Sequence, residues 1–205
     1  MKFYKNVSLM ALFIIFLFIN ISSAFAAYSP SAAIQYADTW ATSHNPNYPD
    51  FVDNDCTNFV SQAVHAGGVA FDKSGIQWYC EPGILYGWNY SSQWTVAQDF
   101  YNWIVNDSHG YLSETWDENG STGYPQPPGN SANLTGGEVI SLDWTSDGRR
   151  DHSGIVVVNN GYDSDSTWSG DLADYHSNSH YHAIWHLIPY NSYWTTTTQY
   201  GLKIN

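Results

Sequence analysis

The spacing of apolar residues changes partway along this chain, and that change constrains the fold more than any other feature. Up to about residue 106 the spacing is helical. Ser29-Pro30 reads as an N-cap followed by a first helical residue, and Ala33, Ile34, Ala37, Trp40 and Ala41 recur on one face before Asn45-Pro46 breaks the pattern. Asp55 caps a second predicted helix whose apolar face is Phe59, Val60, Ala63 and Val64, and Gly67-Gly68 ends it. Thr95 with Gln98 forms a capping-box pattern ahead of a third helix carrying Val96, Phe100, Trp103 and Ile104. After a stretch rich in Gly, Pro, Ser and Asn from Glu118 to Gly137, the runs become short and β-like: 138–142, 153–158, 172–175 and 183–188. Asn160-Gly161 stands where a hairpin would reverse. Helices first and an antiparallel sheet second is the α+β arrangement. With 205 residues, no internal repeat and no linker, one domain is expected.

The first residues read as a leader rather than as part of that domain. Lys2 and Lys5 precede an apolar run from Leu9 to Ile19, and Ala24-Phe25-Ala26 offers a small-x-small cleavage site. The run is short of the roughly 20 residues that cross a bilayer. Residues 1–26 are therefore expected to be a signal peptide and residues 27–205 the mature, secreted or envelope-associated domain, with no stable membrane insertion after cleavage.

The formal charge of −13 becomes −15 once Lys2 and Lys5 are removed. Such a surface repels phosphate backbones, so nucleic acid is not an expected partner. Only 12% of residues are charged while 17% are aromatic, which excludes a disordered chain. No P-loop or dinucleotide glycine fingerprint is present, and no cofactor or metal is expected.

The most informative stretch is Asp55-Cys56-Thr57-Asn58-Phe59-Val60-Ser61-Gln62. A cysteine in the first turn of a helix meets unpaired N–H groups and the positive end of the helix dipole, which favour a thiolate. The neighbouring Asp55 opposes this, so a cationic partner is needed, and histidine is the natural one. Of eight histidines, His152 is best placed, ending a polar turn directly before the predicted strand Ser153–Val158. A third group should orient its ring; Tyr175-His176-Ser177-Asn178 lies on a following strand and offers His176 first and Asn178 second.

These residues resemble the putative amidase domain family, papain-like cysteine hydrolases related to the NlpC and CHAP cell-wall hydrolases. The similarity rests on Asp55–Gln62 with Ala66-Gly67-Gly68, on Tyr36-Ala37, on Ser92–Thr95 with Phe100-Tyr101, on Gly137-Glu138-Val139-Ile140, on Asp151–Val156 and on Tyr175–Asn178, in that family's order. Glu138 stands where the family usually has Asp, and Gly154 where it usually has Ala. The resemblance implies a papain-like α+β fold with helices packed on a C-terminal antiparallel sheet. It implies Cys56 as nucleophile, His152 as base and His176 as orienting residue. The implied activity is hydrolysis of amide bonds, through a thioester, in a cell-envelope peptide or glycopeptide, by a monomer. An N–H near the start of the Cys56 helix would stabilise the oxyanion. Two alternatives share the scaffold: a non-catalytic wall or carbohydrate-binding domain using its aromatics, and an acyltransferase using the same Cys-His pair.

Other features carry weaker readings. Cys56 and Cys80 could be joined in an exported chain, but the context of Cys56 favours a free thiol. His176, His180, His182 and His186 share parity along an extended segment, and hydrogen-bonding roles are expected of them rather than metal ligation. Asp163 to Asp171 reads as a solvated acidic loop lacking EF-hand spacing. The aromatics Trp78, Tyr79, Tyr86, Trp88, Tyr90 and Trp94 suit either a groove or the core. Asn89, Asn106, Asn119 and Asn133 begin formal glycosylation triplets.

Overall fold

The computed structural model describes residues 27–205 apart from residue 132, so the expected leader lies outside the described residues. The first helix, α1, spans Pro30–Trp40, with the Ser29 hydroxyl accepting the Ala32 N–H and Pro30 at its start. Its buried face is Ala33 and Ala37, small side chains that admit α2 (Cys56–Ala66) at close range. Helix α2 is enclosed on all sides, with every residue from Cys56 to Val64 buried. Its polar members are therefore all engaged: Asn58 Oδ1 accepts the Trp94 indole N–H at 2.7 Å and Ser61 Oγ that of Trp78 at 3.1 Å, while Gln62 accepts the Tyr36 hydroxyl.

A small hairpin of β1 (Cys80–Pro82) and β2 (Trp88–Tyr90) leads to two consecutive helices, α3 (Ser92–Thr95) and α4 (Ala97–Asn106). The predicted capping box is not formed. Thr95 ends α3, and Val96 breaks the chain with φ −113° and ψ 122°. Gln98 instead accepts the backbone N–H of Arg150 at 2.9 Å, tying α4 to the turn before His152.

The remaining strands are β3 (Gly110–Asp117), β4 (Val139–Asp143), β5 (His152–Asp163), β6 (Trp168–Tyr175), β7 (His180–Ile184) and β8 (Thr198–Ile204). They form one antiparallel sheet in the order β3-β8-β4-β5-β6-β7. Val139, Ile155, Val157 and Leu202 face the helices, where Trp78 stacks on Trp103 at 4.4 Å and packs against Trp94 at 4.8 Å. The opposite face carries Ile140, Leu142, Val156 and Leu172 under Trp116, Trp185 and Leu134. A sheet covered on both faces explains why β4 is buried at every position, Ser141 and Asp143 included.

The structure therefore has the α+β order expected, with four added strands, the β1–β2 hairpin and two in the large sheet. β3 contains Gly110, Glu114 and Asp117, and its sequence carries no recognisable β signature. β8 follows the last predicted strand and closes the middle of the sheet between β3 and β4. The chain does not reverse at Asn160-Gly161. Asn160 takes φ 57° within a register shift of β5, and the reversal follows Asp163. The reason is the Asp163 carboxylate, which accepts the N–H groups of Asp165 and Ser166, the Ser166 hydroxyl and, across the sheet, the N–H of Ile184. Asp163 and Asp171 are thus buried anchors rather than parts of a solvated loop. The central aromatics divide: Trp78 and Trp94 are core, whereas Tyr86 and Tyr90 are exposed. Cys56 and Cys80 are both unpaired thiols.

Candidate active site

The start of α2 is built by residues far away in sequence. Asp55 precedes the helix, but its side chain caps nothing. Its Oδ1 accepts the Phe51 N–H at 3.1 Å and the Asn58 amide at 2.8 Å, and its Oδ2 lies 2.6 Å from His176 Nδ1. The capping group is Ser177, whose Oγ accepts the N–H of Asp55 at 2.6 Å and that of Cys56 at 3.0 Å. Ser177 and Asn178 take φ 58° and 87° in the turn leaving β6, which brings the hydroxyl to the helix start.

Cys56 lies below this cap and is almost fully buried. Burial pushes its thiol above the usual range, and the nearby Asp55 charge adds to this. Hydrogen bonds from the Thr57 hydroxyl and from the backbone N–H groups of Ser153 and Thr57 offset the rise only in part. At neutral pH the resting group is therefore a thiol, not the thiolate that the helix position alone suggests.

His152 opens β5 and is held by rings. Tyr175 stacks on it at 5.4 Å with planes 10° apart, and Trp144 lies at 5.3 Å on a 30° tilt. Burial pushes its pKa down to about 4, assisted by His180, so the imidazole is neutral. Gly154 is part of the same packing, since a Cβ there would collide with the Tyr175 ring. This accounts for glycine where the resembled family usually shows alanine.

Cys56 and His152 line one cleft of about 970 Å³, together with Ser177, Asn178, His180 and Arg149. Ser153 links the two sides: its N–H reaches the Cys56 sulfur, and its Oγ lies 3.1 Å from Thr57 Oγ1. Arg150 is clamped between Tyr101 and Tyr200 at 3.8 and 3.9 Å, so both arginines of this acidic chain stand at the cleft.

The structure gives His176, the expected orienting residue, partners other than His152. Its Nε2 lies 2.7 Å from the Trp40 carbonyl and its Nδ1 faces Asp55, while its ring stacks on Phe59 at 4.0 Å. Each of its ring nitrogens is thus engaged by a protein oxygen. It therefore holds Asp55 and the end of α1 together and has no nitrogen left for His152. Asn178 lines the cleft, but its amide faces His180 at 3.4 Å. The other histidines of that segment also diverge: His180 packs on Tyr190, His182 meets Asp38 at 2.9 Å, and His186 is buried beside Trp168 and Trp185. Sequence reasoning passed over Ser177, because a serine that caps a helix about 120 residues away leaves no local pattern.

The "Putative amidase domain" family model matches residues 27–199. Two curated relatives, both from Bacillus subtilis (strain 168), are similar over the same kind of span. The uncharacterized protein YhbB is 33% identical over 134 residues, covering 64% of this chain and 37% of that protein. The uncharacterized protein YjcM is 31% identical over 137 residues, covering 63% of this chain and 28% of that protein. The chain thus spans about a third of the length of these relatives. No solved structure matches it.

Proposed function

Because the chain belongs to the putative amidase domain family, we propose that it is an exported cysteine-dependent amidase or endopeptidase of papain-like design. Its substrate on this reading is a peptide amide of a cell-envelope polymer. The observation that carries the proposal is the Cys56 thiol and the neutral His152 imidazole opening on one cleft, with Ser153 touching the sulfur.

The chemistry starts from the neutral pair. His152 takes the Cys56 proton as the sulfur attacks the amide carbon, giving an imidazolium and a tetrahedral oxyanion. The Cys56 N–H already donates to Ser177 Oγ, so on this reading the oxyanion donor is the Ser177 hydroxyl, which lines the cleft. Its oxygen accepts two N–H groups, which leaves its own proton free and strengthens it as a donor. Collapse expels the amine, protonated by the imidazolium, and leaves a thioester. Water, deprotonated by His152, then hydrolyses the thioester and restores the thiol. Burial of Trp78 and Trp94 in the core removes two of the rings that a carbohydrate-binding platform would use.

The test is digestion of purified envelope polymer by wild type and Cys56→Ala, with mass analysis of released fragments. Wild type should free new amino and carboxyl ends, and the variant should lose at least about a thousandfold in rate while melting as before. Equal release by both proteins would end the proposal.

A further inference from the structure

A second constellation lies away from the cleft, where α1 passes the edge of the sheet. Asp38 projects from α1, Asp174 from β6 and His182 from β7, and one ligand atom from each lies within 4.8 Å of those of the other two. The local cause is a register irregularity between β6 and β7 at Asp174, with His182 at φ 53°. Asp174 Oδ1 accepts the His182 N–H at 2.8 Å. Its Oδ2 is buried and meets no N–H or hydroxyl donor, and the Asp38 carboxyl lies close enough to share a proton with Asp174. A buried, unpartnered carboxylate oxygen beside a second carboxylate is costly unless a positive charge is supplied.

No lysine or arginine among the described residues supplies it, and the basic group at hand is His182, 2.9 Å from Asp38. Lys73 pairs with Glu81, Lys203 faces Glu138, Arg150 is held by Tyr101 and Tyr200, and Arg149 stands at the cleft. Two other clusters of similar composition differ in this respect. In His44–Asp55–His176 the buried oxygens and nitrogens already have protein partners, and Asp72–Asp107–His109 is partly exposed with no orphaned acid.

We propose that Asp38, Asp174 and His182 bind one first-row divalent cation of the Zn²⁺ type, which clamps α1 onto the β6–β7 edge. Two carboxylates and an imidazole, partly open to water, suit such an ion better than Ca²⁺, which takes oxygen ligands throughout. The 2.9 Å between His182 Nε2 and Asp38 Oδ1 is shorter than the roughly 3.4 Å between tetrahedral ligands on bonds of about 2.1 Å, so a bound ion would part the two groups slightly. The clamp would be structural. It lies one residue before the Tyr175-His176-Ser177 run and two residues before Trp40, the groups that hold His152 and the start of α2.

The experiment uses Cys56→Ala, so that the cleft thiol does not compete, and titrates chelator-treated protein with ZnCl₂ by calorimetry and thermal melting. One Zn²⁺ should bind per chain and raise Tm by about 5 °C at saturating metal. Adding Asp38→Asn, at a partly exposed position, should weaken binding at least about 30-fold and abolish the Tm rise. His182→Asn, which tolerates the left-handed backbone, should do the same. Absence of saturable binding up to millimolar Zn²⁺ overturns the site, as does undiminished binding in both double variants.

Discussion

The two sides of the cleft are organised by different forces. Around Cys56 every fixing contact is polar: Ser177 caps the helix, Asp55 joins His176 to Asn58, and Thr57 meets Ser153. Around His152 the fixing contacts are the faces of Tyr175 and Trp144. The polar side places donors with directional accuracy, whereas the aromatic side excludes water and keeps the base uncharged. Cys56 and His152 both rest neutral, so on the proposed mechanism the proton moves at the moment of attack rather than beforehand. His176 differs from His152 in its edges: both rings are stacked on a face, but only His176 is also gripped at both nitrogens.

That contrast can be broken most severely at Ser177. Ser177→Ala should lower kcat about 100-fold with little change in KM, from the lost oxyanion donor, and destabilise the helix start by about 1 kcal/mol. Steady-state kinetics with a denaturation curve separates the two; an unchanged kcat would restrict Ser177 to capping. His176→Ala strands the Asp55 carboxylate in a buried site and should cost about 3 kcal/mol of stability, read by chemical denaturation. Its acid limb in kcat/KM should stay where the wild-type limb is, and a moved limb would return His176 to the base.

The wild-type limb itself tests the aromatic side. With His152 pushed down to about 4, kcat/KM should hold its plateau as pH falls through 6 and decline only near 4. The folded state then resists a proton that the unfolded chain accepts from about pH 6.5 downward. Stability is accordingly full above 6.5 and lost as pH falls from 6.5 to 4, by on the order of 3 kcal/mol for this group. His186, also buried and pushed to about 4, should add to the loss in the same window. An acid limb between pH 6 and 7 would show that the ring rests charged. The smallest effect is expected from Gly154→Ala, which should displace Tyr175 at a cost of about 1–3 kcal/mol and reduce kcat through the tilt of His152.

Much of this could be read along the chain. The helical spacing that ends in α1 and α2, the cysteine at the first position of α2 and the histidine that opens β5 are local patterns, and local patterns survive in sequence. The β3–β8 pair was hidden because β3 is kept in place by its partner strand rather than by a pattern of its own, and Asn160-Gly161 was overruled by a buried aspartate three positions on. At the site, sequence alone pointed to Cys56 and His152, which the fold brings to one cleft, since their elements are defined by near neighbours. Tertiary structure alone decided that Ser177 caps the nucleophile, that His176 serves Asp55 and that both reacting groups rest neutral. Each of those facts depends on burial or on a hydrogen bond between segments about 120 residues apart, and neither quantity exists until the chain has folded.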